Sequence, residues 1–272
     1  MQQQIILITG ASSGMGKAFA KRLISEGHIV YGAARRVDHM QDLVEAGGRS
    51  IALDITDDAS IHAAVECIIG EQGRIDVLIN NAGYAIYGSV EETTIADARR
   101  QFEVNLFGLG RLTQLVVPHM RKAGKGRIIN ISSMGGKMYT PLGAWYHATK
   151  HALEGWSDCL RLELKPFGID VVIVQPGIIV TEFADVMTGP MLQRSGVGPY
   201  GELARKVAKG AENGMEKGKG SKPEVIAELV SKAVHARRPR TRYAGGFLAR
   251  PVMWLRIYLG DRFFDRMIMK VA

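Results

Sequence analysis

The 272 residues, 46% hydrophobic and 23% charged, have the composition of a soluble globular protein and suffice for one large α/β domain or two small ones. The net charge of +8 is concentrated near the end of the chain, but no nucleic-acid motif accompanies it, and we favour a solvated basic surface over a nucleic-acid site. No run approaches the roughly 20 apolar residues of a membrane span, and the start MQQQIILITG lacks the marks of a signal peptide.

Short β-branched runs alternate with helical patterns from residue 5 to about residue 180. The first run, IILIT, is typical of a strand buried on both faces. The patterns predict strands at 5–9, 28–34, 50–54, 75–81, 127–132, 169–176 and 241–246, and helices at 15–26, 40–45, 58–69, 95–120, around Tyr146 and at 223–236. This alternation predicts right-handed βαβ units, and so a doubly wound parallel sheet with helices on both faces.

The pattern changes after Pro176. Residues 183–222 are rich in Gly, Lys, Met and polar residues with weak helical spacing, which we interpret as a helical insertion that covers the substrate. Residues 247–272 mix aromatic side chains with arginines and form an amphipathic tail. The tail could pack on the domain, on a partner subunit or on a membrane surface, and we favour a subunit over a membrane. Residues 1–272 are thus expected to form one catalytic domain.

The chain contains two cysteines, Cys67 and Cys159, with no CxxC partner and no histidine cluster. This spacing argues against a disulfide framework and against a zinc site, and no metal is expected. Both cysteines lie in helical patterns, and we expect them to be buried in a protein of the reducing cytoplasm.

Two turns at predicted strand ends are rich in glycine or asparagine. The stretch ITGASSGMG, residues 8–16, leads from the first strand into a helix. Glycines there let the backbone approach a pyrophosphate, and the helix N-terminus offers free N–H groups. The stretch NNAG, residues 80–83, ends the fourth strand, where ligands bind in open α/β sheets. NNAG is also a plain polar turn, and we expect both interpretations to hold.

The end of the second predicted strand bears on the cofactor. Dinucleotide-binding proteins that use NAD carry an acidic residue there for the ribose 2′-hydroxyl. This chain has Arg35 and Arg36 instead, with no carboxylate before Asp38. Because guanidinium groups suit a 2′-phosphate, we predict NADP(H) over NAD(H), with Arg35 the stronger contact. A solvated basic loop is the alternative.

The stretch WYHATKHALEGW, residues 145–156, places a phenol and an ammonium one helical turn apart. Tyr146 and Lys150 are at i and i+4 and share a helix face, although most such pairs are solvated surface. A nearby ammonium would lower the phenol pKa from about 10 and suit Tyr146 to acid/base catalysis. Ser133, after the strand at 127–132, is placed to hydrogen-bond a substrate oxygen, or else to cap a turn.

The order of these motifs, with Asn105 and Pro176-Gly177, resembles the signatures of the short-chain dehydrogenase/reductase family over nearly the whole chain. The stretches YGAARR and RPRTRY further resemble the branch with 17β-hydroxysteroid and retinol dehydrogenases. The resemblance implies a single-domain Rossmann fold with about seven parallel strands, a nicotinamide cofactor, and a homodimer or homotetramer. It implies an enzyme that interconverts a secondary alcohol and a ketone.

The resemblance also assigns roles to residues. Tyr146 would be the acid/base, Lys150 would lower its pKa and grip the ribose, Ser133 would orient the oxygen, and Asn105 would hold a water of the proton path at a helix kink. Asp54 would lie beside the adenine, or else cap the next helix. The implied cofactor contacts are Gly10, Ser12, Ser13, Gly14, Met15, Gly16, Arg35, Arg36, Asp54, Ile55, Asn81, Ala82, Gly83, Tyr146, Lys150, Pro176, Gly177, Ile179 and Thr181.

The segments expected to line the pocket are rich in flexible apolar residues, namely Met134, Met138, Leu142, Met187 and Met191. We therefore expect a lipophilic substrate, steroid- or retinoid-like. Two alternatives are a ketoacyl-type reductase and a non-catalytic dinucleotide-binding regulator, although a regulator would be expected to lose Tyr146 or Lys150. A stripe of small residues on the Tyr146 helix, from Ala148 to Cys159, indicates close packing on the sheet or across a two-fold interface.

Overall fold

The computed structural model describes residues 3–181, 183–216 and 220–271. Seven parallel strands form a single sheet: β1 (Ile5–Thr9), β2 (Ile29–Ala34), β3 (Arg49–Ala52), β4 (Val77–Asn80), β5 (Gly126–Ile131), β6 (Ile169–Pro176) and β7 (Arg242–Gly245). Their order is β3-β2-β1-β4-β5-β6-β7, so the direction of winding reverses between β1 and β4. The predicted doubly wound sheet is confirmed.

Helices cover both faces of this sheet. They are α1 (Gly14–Ser25), α2 (Gln41–Glu45), α3 (Asp58–Gln72), α4 (Ile95–Phe102), α5 (Leu109–Lys122), α6 (Ala144–Leu164), α7 (Phe183–Ser195), α8 (Gly201–Glu216), α9 (Pro223–His235), α10 (Ala249–Tyr258) and α11 (Asp261–Val271). The insertion after β6 thus contains the two helices α7 and α8, and the tail contains α10 and α11.

The alternation of side chains along β1 builds two cores. Ile6 and Ile8 point to one face of the sheet and pack with α1 and α9. Ile5 and Leu7 point to the other face and pack with α3 and α5. Because successive residues of a strand face opposite ways, a strand that is apolar throughout requires helices on both sides.

The long helix predicted for residues 95–120 is interrupted. A π-helical segment, Glu103–Gly108, separates α4 from α5 and contains Asn105. Such a bulge inserts an extra residue per turn and is frequent at functional sites.

The tail is interrupted as well, since Gly260 between α10 and α11 has φ +75°. Only a glycine adopts that conformation without strain.

Two expectations concern small residues on α3 and α6, and the expected burial of the two cysteines is wrong. Cys67 and Cys159 are both exposed, because they lie on the outer faces of α3 and α6. The stripe from Ala148 to Cys159 also faces outward on α6, while Leu153 and Ser157 face the sheet. The stripe therefore does not pack on the sheet, and its use as a subunit interface stays a prediction. In the part of the chain described here, no helix is both long and apolar enough to cross a bilayer.

Candidate active site

The turn between β1 and α1 is shaped to receive an anion. Gly10 and Gly14 have positive φ values of +68° and +53°, and a Cβ on Gly16 would lie 2.3 Å from the Gly10 carbonyl oxygen. Ser13 at the N-cap makes no side-chain capping bond, and the first turn of α1 carries no acidic residue. The first N–H groups and the positive dipole end of α1 therefore have no capping side chain and no carboxylate from their own first turn, which fits a pyrophosphate.

Asn81 fastens this turn to the end of β4. Its Nδ2 donates to the carbonyl oxygens of Thr9 at 2.9 Å and Gly10 at 3.2 Å. The Thr9 hydroxyl in turn accepts from the backbone N–H groups of Asn81 and Ala82, each at 3.0 Å. A Cβ on Gly10 would lie 2.9 Å from Ala82 Cα. The NNAG stretch is thus a turn that also joins the ends of β1 and β4 by hydrogen bonds.

The residues beyond β2 and β3 form a polar corner. Arg35 and Arg36 are exposed directly after β2. Hydrogen bonds from Thr56 and the positive charge of Arg35 lower the pKa of Asp54 against the opposing effect of burial. Asp54 accepts from the Thr56 N–H at 3.0 Å, while α3 is capped by Asp57. The alternative of Asp54 as the helix cap is therefore wrong.

Ile55, the next residue, is buried beneath the π-helical segment. A Cβ on Gly108 would lie 2.0 Å from the Ile55 carbonyl oxygen, so the backbones of these two segments touch. This contact fixes the position of the π-helical segment, and with it Asn105, relative to the end of β3.

Ser133 and Tyr146 meet just beyond the end of β5. The Ser133 hydroxyl accepts from the Gly135 N–H at 3.0 Å, and a further hydrogen bond joins it to the Tyr146 hydroxyl. Burial raises the pKa of Tyr146 far above that of a free phenol, while the bond to Ser133 opposes this rise. The lowered pKa expected for Tyr146 is not seen in this structure, because burial outweighs the stabilisation of the phenolate.

Lys150 lies one turn along α6 from Tyr146 and is 8% exposed. Its Nζ donates to the Ile131 carbonyl oxygen at 2.8 Å, at the last residue of β5. Burial lowers the pKa of Lys150 to about 8, and the carboxylate of Glu154 opposes this change. The lysine is thus held beside the site, and its predicted action on the Tyr146 pKa and on the ribose stays a prediction.

Asn105 ties the π-helical segment to two other parts of the site. Its Nδ2 donates to the Tyr84 carbonyl oxygen and to the Thr149 hydroxyl, each at 3.0 Å. Its Oδ1 accepts from the Tyr84 N–H at 3.1 Å. The side chain therefore connects the NNAG loop to α6, and its predicted hold on a water stays a prediction.

The exit from β6 lies across the start of α1. Pro176 ends β6, and the Gly177 N–H donates to the Gly245 carbonyl oxygen at 2.8 Å. Ile179 forms a short bridge with Ser221. The Thr181 Cγ2 atom would be 3.5 Å from a Cβ placed on Gly14. All predicted catalytic and cofactor-binding residues therefore lie at or just beyond the carboxyl ends of the strands, in the first turn of α1, or on α6 and the π-helical segment.

His147 is a site residue that the sequence did not reveal. Burial lowers its pKa and favours the neutral imidazole. Its Nδ1 therefore donates to the Gly135 carbonyl oxygen at 2.9 Å, and its Nε2 accepts from the Thr140 N–H at 3.1 Å. The imidazole fastens the loop that begins at Ser133. Its position in the sequence, next to Tyr146, gives no such signal, because the contact depends on how the loop folds.

An apolar cluster covers the Tyr146 side chain. Leu142, Tyr87 and the helices α7 and α8 contribute to it, and Met191 is its fully buried centre. Its other members are Ala85, Ala204 and Ala208, with Tyr146, Met187, Leu192, Leu203 and Val207 packed against them. Two hydroxyl groups at the edge of an open sheet, beneath apolar side chains, suit proton transfer to a carbonyl oxygen.

A family model described as short chain dehydrogenase matches residues 4–189. The chain belongs to the short-chain dehydrogenase/reductase family. Members of this family are NAD(P)-dependent oxidoreductases, and the open N-terminus of α1 next to the Tyr146 site fits a nicotinamide dinucleotide. When bound, the dinucleotide exchanges a hydride with the substrate.

Known relatives of this short-chain dehydrogenase/reductase include ketoreductases. It is 50% identical over 185 residues to a 3-ketodihydrosphingosine reductase of Bacteroides thetaiotaomicron. This alignment covers 68% of this chain and 67% of that protein. A short-chain dehydrogenase of Streptomyces avermitilis has a TM-score of 0.80 with 32% identity, over 99% of this chain and 96% of that one. An actinorhodin polyketide ketoreductase solved with NADPH has a TM-score of 0.75 with 30% identity, over 89% and 95%.

Proposed function

We propose that this protein is an NADP(H)-dependent ketoreductase that reduces the keto group of a lipophilic, long-chain substrate. The proposal rests mainly on one observation: the hydrogen-bonded hydroxyl groups of Ser133 and Tyr146 lie beneath an apolar cluster. A carbonyl that reaches these hydroxyls brings the neighbouring part of the substrate among apolar side chains, where hydrocarbon is favoured over polar groups.

The proton chemistry favours reduction. A ketone that accepts a hydride at carbon needs a proton at oxygen, and Tyr146 is the donor. Burial raises the Tyr146 pKa, so the phenol carries its proton at neutral pH. Ser133 donates to the substrate oxygen and stabilises the charge that builds there. Lys150 then returns a proton to the phenolate, along a path whose water Asn105 holds.

The preference for NADP(H) is supported by the charge beyond β2. Arg35 and Arg36 are exposed there and form no ion pair with any residue that the structure describes. Their guanidinium groups are free to bind a 2′-phosphate with charge-assisted hydrogen bonds. The related polyketide ketoreductase was solved with NADPH, which agrees with this choice.

The substrate class is supported by the relative with the highest identity reported above. That protein is named for 3-ketodihydrosphingosine, a long-chain amino ketone, and shares 50% of residues over the aligned part. We therefore prefer a long-chain ketone to the steroid- or retinoid-like substrate that the sequence suggested. In this proposal, residues 183–222 act as a lid over the chain-like part of the substrate, and residues 1–272 form one catalytic domain.

A ketoacyl-type reductase is the second candidate, because a polyketide ketoreductase shares 30% identity and the fold. The test is a substrate panel followed by nicotinamide absorbance: 3-ketodihydrosphingosine, a β-ketoacyl thioester, a steroid ketone, retinal and a small polar ketone, each with NADPH and with NADH. We expect the highest kcat/KM for the long-chain ketone with NADPH. Preference for the thioester would support the second candidate, and preference for the small polar ketone would contradict both.

A further inference from the structure

The two C-terminal helices carry an unusual amount of apolar surface. Of the eighteen large apolar side chains that are exposed in the described residues, eight lie between positions 247 and 269. Trp254, Ile257 and Tyr258 are each more than half exposed and lie at i, i+3 and i+4 on one face of α10. Phe263, near the start of α11, is also about half exposed. Exposed apolar residues that are scattered singly over a surface are normal, whereas a cluster of them marks an interaction surface.

Exposed cations lie on α11, the helix that follows this apolar face. Arg262, Arg266 and Lys270 recur at i, i+4 and i+8 on α11 and are exposed. The two acidic residues of the same helix are already engaged: Asp261 pairs with Arg256 at 2.6 Å, and Asp265 accepts from the Tyr139 hydroxyl at 2.8 Å. The three cations form no ion pair with any residue in the described ranges. The surface therefore combines aromatic side chains with positive charge that the protein does not neutralise.

The surface borders the candidate active site. The Tyr139 ring meets the Phe264 ring edge-on at 5.3 Å, and the Arg256 guanidinium lies over Tyr139 at 5.0 Å. Tyr139 belongs to the loop that begins at Ser133 and is fastened by His147. The two C-terminal helices thus pack against the outer side of the loop whose first residue touches Tyr146.

We infer that the exposed face of α10 and α11 docks on an anionic lipid bilayer. Trp and Tyr rings have an apolar body and a polar tip and are favoured at membrane interfaces, and arginines beside them match anionic headgroups. A second copy of the chain fits less well, because a two-fold contact would bring two unneutralised cation clusters together. Docking brings the active-site loop close to the membrane, where a lipophilic ketone would be concentrated. This access to substrate rests on the proposed function, whereas the docking itself does not.

The test is co-sedimentation of the full-length protein with sucrose-loaded vesicles at about 0.15 M salt. We expect binding to vesicles of equal parts phosphatidylglycerol and phosphatidylcholine, and much weaker binding to phosphatidylcholine alone. Arg262→Gln combined with Arg266→Gln should lower the partition coefficient about 30-fold, since each cation contributes about fivefold at an anionic surface. Lys122→Gln with Lys125→Gln removes the same charge from the opposite edge of the sheet and should change partition less than twofold.

Insertion of the aromatic face has its own readout. Trp254 is half exposed, so vesicles should shift its fluorescence emission to shorter wavelength. Trp254→Phe should abolish this shift and retain most of the binding, because the apolar face is preserved. Failure to bind anionic vesicles, or equal losses in the α11 and control variants, would overturn the inference. A change in solution mass on Trp254→Ser with Tyr258→Ser, without vesicle binding, would identify a second copy as the occupant and overturn it too.

The docking variants also separate this inference from the proposed function. Activity toward a water-soluble ketone in vesicle-free buffer should be unchanged in the Arg262→Gln, Arg266→Gln protein, since these residues lie outside the site. If vesicles bind the protein but no ketone in the panel is reduced, docking stands and the proposed function fails. If ketones are reduced but the protein does not bind vesicles, the proposed function stands and the docking inference fails.

Discussion

In the proposed function, Tyr146 is the residue on which the chemistry depends. Its hydroxyl is hydrogen-bonded to Ser133, and its raised pKa keeps the proton in place for transfer to a substrate oxygen. Tyr146→Phe should lower kcat by about 10²- to 10⁴-fold, as expected for the loss of general acid catalysis, with the Kd for NADPH unchanged. Stopped-flow reduction and fluorescence titration of the cofactor measure the two effects.

The neighbouring Tyr87 is the matched control for this substitution. Its ring centre is 6.0 Å from that of Tyr146, and its hydroxyl contacts only Thr140 at 3.5 Å among the described residues. Tyr87→Phe should keep most of the activity. If Tyr146→Phe retains more than about a tenth of kcat, its role as the proton donor is contradicted.

Arg35 tests the cofactor preference. Removal of a charge-assisted bond to a 2′-phosphate should raise the KM for NADPH about 10- to 100-fold in Arg35→Ala, with little change for NADH. Arg36→Ala should have the smaller effect, since Arg36 is one residue further from the end of β2. Steady-state kinetics with both cofactors measure the two KM values. Equal effects on the KM for NADPH and for NADH would show that the arginine does not bind the 2′-phosphate.

The lowered pKa of Lys150 makes the stability of the fold depend on pH. Its pKa is about 8 in the folded protein against 10.5 for an ordinary lysine, so between these pH values the unfolded chain binds more protons. Stability from this group therefore rises with pH, by about 3 kcal/mol across the interval. Urea unfolding should show the wild type gaining this amount relative to Lys150→Met as pH increases. Lys122→Met, which removes an exposed lysine, is the control, and parallel pH profiles of wild type and Lys150→Met would contradict the prediction.

At the scale of elements, the sequence anticipates regular structure better than its interruptions. The apolar runs predict the interior strands, because burial on both faces leaves a plain signature in IILIT and IDVVIVQP. The edge strands β3 and β7 are less buried and carry weaker patterns. The π-helical segment at Asn105 was anticipated only as a kink, because a single inserted residue hardly disturbs the spacing of apolar side chains. The division of the tail at Gly260 is not predicted, because aromatic residues and arginines continue on both sides of it.

The contact between the π-helical segment and the end of β3 gives a test of that interruption. A methyl group on Gly108 would lie 2.0 Å from the Ile55 carbonyl oxygen, whereas one on Gly110 would lie 3.8 Å from the Trp156 ring. Gly108→Ala should destabilise the protein by roughly 2–3 kcal/mol through overpacking. Gly110→Ala should stabilise it by about 0.5–1 kcal/mol through helix propensity. Urea denaturation measures both, and effects of the same sign would contradict the steric argument.

At the scale of the whole molecule, the sequence places the site but does not give its internal contacts. Motif order locates Gly14, Asn81, Ser133 and Tyr146 at one edge of the sheet, because parallel strands share that edge. The bond from Lys150 to Ile131 and the clamp by His147 join segments whose approach depends on the finished fold. The same limit explains the direction of the Tyr146 pKa: the sequence shows the nearby ammonium but not the depth of burial.

A histidine pair joins the start of β2 to the end of α9, at the amino ends of the strands. His28, 6% exposed, accepts from the Gln4 N–H at Nδ1 and therefore donates from Nε2 to His235 Nε2 at 3.1 Å. His235 donates from Nδ1 to the Ser231 carbonyl oxygen at 2.8 Å. Glu26 brings a third possible metal ligand within 4.8 Å of both rings, yet these hydrogen bonds satisfy the imidazoles without an ion.

This pair makes stability depend on pH in the acid range. Burial and the neighbouring His235 lower the pKa of His28 below 6.5, although Glu26 opposes them. As pH falls through that value, the unfolded chain takes up protons that folded His28 resists, so stability is lost. Urea unfolding between about pH 7 and pH 5 should show a steeper loss for the wild type than for His28→Asn, which keeps an acceptor for the Gln4 N–H but cannot titrate. His39→Asn, at an exposed histidine, should follow the wild type. If His28→Asn also follows it, the pair does not govern the acid stability of the fold.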